Sequence, residues 1–391
     1  MDILIIGNGF DLAHDLETSY CNFLDFRNNQ EFKDKRENFP LYDNCLRCNL
    51  WMQHFLNNKD NLNGDKWIDL EEEIFNVIKL LNNFSFERYF SDSSNYFIYM
   101  LGLNSLSFNF KNIRESIQRE ESTHYQLRQY INPEMVTKKG YSLILSKPYS
   151  DTFCVYIKDF KSFINFLYDQ LREFTEAFQE YLIKYVLQGM KKEKYELVLK
   201  NNKQRRTDCR FYLLNFNYTN ICQKLYGESE YQKGFKIETI NLHGDINNIG
   251  NCNLVLGSKT FSDYGQNINP EYNVFQKHNQ RHKYGTIELY QDFYLYGLSK
   301  TQTRINFHVV GHSLDETDKR LLKHIFDSKK DSIIYIYYHT EEAHQRLINN
   351  ITNIISEDEV TARVRFIKQD DAQRGIFEEV SSGLTVSRTL M

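Results

Sequence analysis

Four short segments carry small or polar side chains directly after a stretch whose composition predicts a β-strand. These segments are Gly7-Asn8-Gly9, Asn215-Phe216-Asn217-Tyr218, His243-Gly244-Asp245 and Gly311-His312-Ser313. The carboxyl ends of parallel strands lie at one edge of a sheet, and ligands bind in the crevice beyond that edge. We therefore expect the four segments to meet and to form one ligand site.

The first of these segments is typical of a nucleotide-binding turn. Gly7 and Gly9 let the backbone turn sharply and approach a phosphate, and amides at the start of the following helix can bind the anion. The six-residue dinucleotide fingerprint also requires glycine at position 12, where this chain has Leu12. Asp11 would repel a phosphate, so we expect it to cap the helix or to bind a ribose hydroxyl.

Two residues are candidates for catalysis. His243 can act as a general base because the ordinary pKa of histidine, about 6.5, lies close to neutral pH. Asn217 can orient a water molecule or a ribose hydroxyl with its amide. Each has a structural alternative, since an asparagine after a strand often holds a turn and a histidine before glycine often only bonds its loop. The residues expected to bind the nucleotide are Gly7, Asn8, Gly9, Phe10, Asp11, Thr18, Tyr20, Gly244, Gly311 and Ser313.

Hydrophobic patterning predicts the elements that position these residues. The predicted strands cover residues 2–6, 210–216, 236–242, 305–310 and 333–338, and the predicted helices that alternate with them cover 220–226, 321–326 and 341–355. This alternation predicts an α/β fold with a parallel sheet. Because the first strand has no partner until after residue 205, we expect a core of residues 1–30 and 205–370. The remaining parts are a mostly α-helical insertion at 31–204 and a polar tail at 371–391.

The insertion carries two strongly periodic stretches. Over residues 156–190, Phe160, Leu167, Phe174 and Tyr181 recur every seven positions, which predicts a long packing helix that serves the core or a homo-oligomer. A second helix is predicted over residues 65–81, with Glu71, Glu72 and Glu73 in its early turns.

Composition excludes several classes of function. The net charge of −4 carries no overall nucleic-acid footprint, and no stretch approaches the 18 apolar residues of a membrane span. The first residues lack the features of a signal peptide. Seven cysteines without framework spacing predict reduced thiols and a cytoplasmic protein. The isolated Cys45-x-x-Cys48 pair has no second ligand pair, so no metal is expected.

Residues 1–24, which begin Met-Asp-Ile-Leu-Ile-Ile-Gly-Asn-Gly-Phe-Asp-Leu-Ala-His, strongly resemble the start of the AbiH family of bacterial abortive-infection proteins. Trp67-Ile-Asp69-Leu-Glu71-Glu72 is similar to the Trp-x-Asp-x-Glu segment of that family. The resemblance implies a role in defence against phage. Separately, we expect the activity to be low without a phage-derived trigger, because constant activity would kill the host.

The strand-end segments also resemble the sirtuin-like superfamily, in which such loops line an NAD site. Asn217, His243 and the run Gly311-x-Ser313-Leu314 match the asparagine, the catalytic histidine and the Gly-x-Ser-Leu loop of that superfamily. The resemblance implies a Rossmann-like, sirtuin-like sheet and cleavage of NAD. Thr219 stands where sirtuins have aspartate, and the four zinc cysteines of the deacylases are absent, so protein deacylation is not expected.

Three functions follow from these features. The first is an NAD glycohydrolase that releases nicotinamide and ADP-ribose when triggered. The second is a non-catalytic sensor of a nucleotide or ADP-ribose, which the Thr219 departure favours. The third is a nuclease in which Asp11, Asp69, Glu71 and Glu72 hold a divalent ion.

Overall fold

The structure is a computed structural model that describes residues 2–62, 69–83, 97–101, 136–138, 141–145, 153–157, 159–188, 210–226, 236–247, 250–261, 267–298 and 304–368. The strands in these ranges are β1 (Asp2–Ile6), β2 (Phe97–Leu101), β3 (Val136–Lys138), β4 (Tyr141–Leu145), β5 (Phe153–Ile157), β6 (Arg210–Asn215), β7 (Lys236–Asn241), β8 (Asn306–Val310), β9 (Ile333–Tyr338) and β10 (Val364–Lys368). The α-helices are α1 (Asn8–Ala13), α2 (Tyr20–Asp25), α3 (Gln30–Asp34), α4 (Pro40–Cys48), α5 (Leu50–Leu62), α6 (Leu70–Asn83), α7 (Phe160–Tyr181), α8 (Ile221–Tyr226), α9 (Lys277–Lys283), α10 (Glu288–Asp292), α11 (Lys319–Asp327), α12 (Glu341–Ile354) and α13 (Glu357–Arg363). Short 3-10 segments cover Phe26–Asn28, Arg36–Asn38 and Pro270–Phe275, and π-helical turns cover Leu182–Leu187 and Phe293–Leu298.

Six strands form one parallel sheet in the order β7-β6-β1-β8-β9-β10. The register pairs Leu4 of β1 with Leu213 of β6 on one side and with His308 of β8 on the other. Numbered along the chain, the order is 3-2-1-4-5-6, so the strand order reverses between β1 and β8. The predicted parallel α/β sheet is confirmed.

The sheet forms where the sequence has short, nearly continuous apolar runs. Ile3 and Ile5 of β1 are completely buried, as are Ile334 and Ile336 of β9. Strands that are covered on both faces need such runs rather than an alternating pattern. One face of this sheet packs against apolar residues of α10, α11 and α12, among them Leu322 of α11. Complete burial of each such side chain stabilises the fold by about 1.5–3 kcal/mol.

The chain divides into two compact units. One comprises Met1–Thr18, Val186–Val255 and Arg281–Met391, and the other comprises Ser19–Tyr185 and Leu256–Gln280. Strands β1 and β6 are neighbours in the sheet, although residues 7–209 separate them in sequence. The second unit therefore enters the chain between two paired strands and also takes up residues 256–280.

The second unit contains the long predicted helix and a sheet that the sequence analysis missed. Helix α7 begins at Phe160, where Asp159 accepts a hydrogen bond from the Ser162 amide at 2.8 Å. Phe174 and Phe178 on its buried face lie within 5.2 Å of the Phe23 ring, so the periodic stripe is core of this unit. Self-association through this helix stays a prediction.

Within residues 31–204, which were predicted to be mostly helical, the structure also has strands that the sequence did not indicate. Strands β2 to β5 form an antiparallel sheet in the order β2-β5-β4-β3. These strands are only three to five residues long, and a segment of that length has no period that separates a strand from a buried helical segment. None of the helices that the structure describes is both long and apolar enough to cross a bilayer.

Candidate functional site

The four predicted segments begin at the same edge of the parallel sheet. Each follows the carboxyl end of β1, β6, β7 or β8, and neighbouring strands lie about 4.8 Å apart. The ring of Phe216, which follows β6, lies 5.4 Å from the His243 ring and 4.5 Å from the His312 ring. The structure therefore brings together the segments after three of these strands by direct side-chain contact.

The glycine turn after β1 packs directly against the turn after β8. The amide of Gly7 donates to the Val310 carbonyl at 3.1 Å, and the amide of Gly9 donates to the Gly311 carbonyl at 2.8 Å. A Cβ atom on Gly9 would lie 2.9 Å from the Cα of Gly311, which is closer than a Cβ atom approaches another non-bonded heavy atom. In this conformation the close approach of two backbones requires the glycines, and the amides of Gly7 and Gly9 donate within the protein.

Asn8 and Thr18 fix the start of the same turn. The hydroxyl of Thr18 donates to Asn8 Oδ1 at 2.6 Å, and Thr18 is buried whereas Asn8 is half-buried. Phe10 is buried with its ring 4.5 Å from that of His14. Tyr20 belongs to the second unit, where its ring packs 5.2 Å from Phe178.

Asp11 lies at the centre of a buried hydrogen-bonded cluster. Its carboxylate accepts from Asn217 Nδ2 at 2.9 Å and from the Thr219 hydroxyl. Asp11 is 1% exposed, and this burial raises the pKa of its carboxyl to about 7, although the bonds from Thr219 and Asn217 oppose the shift. Thr219 thus contacts an aspartate supplied by α1.

Asn215, the last residue of β6, shapes the turn that presents Asn217. Its Oδ1 accepts from the Asn217 amide at 2.9 Å, and its Nδ2 donates to the Thr219 carbonyl at 2.8 Å and to Asn241 Oδ1 at 2.9 Å. Asn215 belongs to a predicted strand-end segment, but its residue type and position indicated no role for it. The available signal was that β6 and β7 both end in asparagine, at paired positions of the register.

The side-chain oxygen of Asn217 is buried and has no hydrogen-bond partner among the described atoms. The amide orientation follows from the network, because the reversed amide would point its oxygen at the Asp11 carboxylate. Asn217 is 3% exposed. The cluster therefore fixes one buried hydrogen-bond acceptor that has no donor among the described atoms.

His243 is also buried, and it contacts two charged residues. Its Nε2 lies 2.9 Å from an Arg281 terminal nitrogen and 3.1 Å from Asp318 Oδ1. Arg281 and Asp318 form an ion pair, and both side chains are at most 6% exposed. Sequence reasoning missed this pair, because Arg281 lies in a polar helix and Asp318 lies among helix-start residues. His243 and Asp318 are 75 residues apart in sequence, and only the folded chain brings them into contact.

The backbone after β7 and β8 depends on left-handed residues. Gly244 has φ of +96°, and a Cβ there would lie 2.4 Å from the Asn253 carbonyl oxygen. Leu314 has φ of +57°, and its amide donates to His312 Nδ1 at 2.9 Å. Ser313, between His312 and Leu314 in sequence, is exposed. Its carbonyl accepts a hydrogen bond from Asn350 Nδ2 at 2.8 Å.

The acidic segment of the second unit is paired with basic side chains. Glu71 binds Lys277 Nζ at 2.5 Å, and Glu72 binds Lys259 Nζ at 2.6 Å. Lys277 and Lys259 are both buried. Among the residues that the structure describes, no group of three histidine, cysteine or acidic side chains is arranged to hold a metal ion. These ion pairs disfavour the nuclease hypothesis, and Trp67 lies outside the described residues.

Asp69 caps helix α6, since its Oδ1 accepts from the Glu71 amide at 3.1 Å and from the Glu72 amide at 2.9 Å. We expect Asp69→Ala to lower the free energy of unfolding by about 1 kcal/mol, the usual effect of losing such a cap. Asp69→Asn retains a capping oxygen and should lower it by much less. Urea unfolding of both variants checks this, and equal losses would contradict a capping role.

The Cys45-x-x-Cys48 pair shows thiols in two environments. Burial raises the pKa of the Cys45 thiol well above its ordinary value. The Cys48 thiol donates to the Asn44 carbonyl at 3.0 Å. Both are free cysteines.

Comparison with known proteins places the chain in one family. Residues 3–339 match the family model for bacteriophage abortive infection AbiH, which covers most of the chain. No curated protein and no solved structure matches the sequence.

Proposed function

The chain belongs to the AbiH family of bacteriophage abortive-infection proteins, which implies a role in phage defence, and from this premise we propose that its parallel sheet binds NAD and hydrolyses it to nicotinamide and ADP-ribose when triggered. Removal of NAD from an infected cell is a plausible route to abortive infection, since it stops metabolism before the phage multiplies.

The strand order supports a Rossmann-like site. The order 3-2-1-4-5-6 is that of sheets that bind dinucleotides across the point where the order reverses. In this chain the reversal falls between β1 and β8, which the glycine turn and the Gly311–Ser313 segment follow. The exposed Ser313 and the half-buried Asn8 are the polar residues of these turns that a nucleotide reaches first.

The unpartnered oxygen of Asn217 is the observation that carries the proposal. A buried acceptor without a partner costs about 1–3 kcal/mol, and such atoms are few in native proteins. Asp11 holds the donor side of the amide at 2.9 Å, so the oxygen faces away from that contact. A water molecule or a ribose hydroxyl would supply the donor that this oxygen lacks, and this supports the proposed NAD substrate.

In the proposed reaction, the bond between the ribose C1′ and the nicotinamide nitrogen breaks, and its electron pair leaves with neutral nicotinamide. Water adds to C1′, and its proton passes to His243 as general base. Asn217 positions the hydroxyl or water through its free oxygen. Burial raises the pKa of Asp11 to about 7, so Asp11 supplies negative charge to the ribose when the pH is high enough to ionise its carboxyl.

Nucleotide sensing without cleavage is a second candidate. Asp11, Asn217 and His243 are each at most 5% exposed. Burial of these candidate reactive groups suits a protein that binds a nucleotide at the sheet edge and changes conformation. The sensor binds NAD or ADP-ribose but never releases nicotinamide.

The two functions are separated by incubating the purified full chain with NAD and measuring both binding, by calorimetry, and free nicotinamide, by chromatography. We expect nicotinamide release in the presence of phage lysate, and at least a tenfold lower rate for Asn217→Ala, in keeping with the loss of a positioned catalytic contact. Asn58→Ala is the control, since Asn58 is a buried asparagine of the second unit. Binding without release under every condition supports the sensor, and neither binding nor release contradicts both proposals.

A further inference from the structure

A buried guanidinium lies against the candidate general base. The terminal nitrogen of Arg281 lies 2.9 Å from His243 Nε2, and Arg281 is 4% exposed. Arginine carries only hydrogen-bond donors, so Nε2 must be the acceptor in this contact. The imidazole proton is then on Nδ1, and the lone pair that a general base requires is occupied.

In the observed arrangement, Asp318 does not draw the Arg281 guanidinium away from His243 Nε2. Its Oδ1 lies 3.1 Å from His243 Nε2 but is also bonded to Arg281. A proton on Nε2 would face the arginine donor at 2.9 Å, which is repulsive. The guanidinium donor therefore favours the tautomer with its proton on Nδ1, in which the Nε2 lone pair faces Arg281.

Other contacts hold Arg281 in this position. Its Nε donates to the Leu242 carbonyl at 3.3 Å, so the guanidinium binds the backbone next to His243 as well as its ring. Asp318 occupies the N-cap position of α11, yet its side chain caps no amide and instead binds Arg281. A side-chain cap is worth about 1 kcal/mol, so the helix gives up that stabilisation while its carboxylate holds the arginine.

We propose that Arg281 is an autoinhibitory contact, which keeps His243 from accepting a proton until activation withdraws the guanidinium. This inference rests on the proposed function, in which His243 is the base, and it names how that site is regulated. Asp318 acts as the positioning residue that retains Arg281. The structure then corresponds to the resting protein, in which NAD is spared.

The state of the imidazole is tested without any enzyme assay. Diethyl pyrocarbonate acylates neutral imidazole nitrogens that have a free lone pair, and mass spectrometry reads each histidine separately. We expect His243 to be modified at least ten times faster in Arg281→Met than in the wild-type chain. Methionine fills a similar volume and donates no hydrogen bond. His312, which is also buried, is the internal reference and should not change.

Two further variants keep this test interpretable. Arg281→Met with Asp318→Leu removes the buried carboxylate that the single variant leaves unpaired, and it should show the same acceleration. Arg363→Met removes an equally buried arginine that bonds the Phe326 carbonyl, and it should leave His243 unreactive. An unchanged His243 rate in both Arg281 variants, or a parallel rise at His312, overturns the proposal.

The regulatory consequence is measured as nicotinamide release without phage lysate. We expect release by Arg281→Met to exceed that of the wild-type chain at least tenfold. Acylation of His243 could be faster in the variant while neither chain releases nicotinamide, with or without lysate. That result would contradict the proposed hydrolysis but leave the proposed arginine contact intact. Release by the wild-type chain alone, together with unchanged acylation, overturns the autoinhibition and not the hydrolysis.

Discussion

Replacement of Gly311 by alanine is expected to lower the free energy of unfolding by more than about 3 kcal/mol, at the upper end of single-residue effects. Gly311 has φ of +62°, where an L-residue is strained by about 1–2 kcal/mol. The added Cβ would also lie 2.1 Å from the Phe10 backbone nitrogen and 2.5 Å from the Gly9 carbonyl carbon. Both turns would have to separate, which breaks the bond from the Gly9 amide to the Gly311 carbonyl.

Gly250→Ala provides a matched control for this prediction. Gly250 has φ of +83°, and a Cβ there meets no atom within 4 Å. The control therefore carries the backbone strain alone. The difference between the two variants in urea unfolding measures the close packing of the turns after β1 and β8. If Gly311→Ala is no more destabilising than Gly250→Ala, the two turns do not pack as described.

The stability of the first unit should fall as the pH rises from about 4 to about 7, because of Asp11. The pKa of an aspartate is 3.8 in the unfolded reference, whereas burial raises the pKa of folded Asp11 to about 7. Between these values the folded state retains a proton that the unfolded state has lost, so a higher pH favours unfolding. The contribution is fully present below pH 4 and is lost as the pH passes through 7. At about 1.4 kcal/mol per pKa unit it reaches about 4 kcal/mol.

This contribution is measured by urea unfolding at several pH values between 4 and 8 for the wild-type chain and Asp11→Asn. The asparagine has no titrating carboxyl, so its unfolding free energy should lack the decline that Asp11 causes. Thr219→Val removes a hydrogen bond that lowers the Asp11 pKa, so it should extend the decline to higher pH. Identical pH profiles for wild-type and Asp11→Asn would show that Asp11 ionises normally in the folded chain.

These two predictions concern opposite sides of the same turn. The segment after β1 contacts the β8 side through the Gly9 and Gly311 backbones, and it contacts the β6 side through Asp11. Gly9, Asp11 and Gly311, which the sequence predicted for ligand binding, are thus engaged in contacts within the protein.

Local patterns predicted the strands of the parallel sheet with small errors at their ends. The apolar run 333–338 coincides with β9, and the run predicted at 210–216 forms β6 at Arg210–Asn215. Strand β10 and helix α13 were missed. Strand β10 is only partly apolar, since Arg365 and Lys368 interrupt its apolar residues. The antiparallel strands of the second unit were missed for the lack of a measurable period.

Sequence alone determined that polar segments follow the strands and that parallel strands place them at one edge, because strand direction fixes which end of each run faces that edge. Tertiary structure alone decided their partners. Asp11 meets Asn217 across 206 residues of sequence, and Arg281 meets His243 across 38, through contacts of 2.9 Å. A hydrogen bond needs two atoms placed to within a few tenths of an ångström, and no local propensity or spacing encodes that placement.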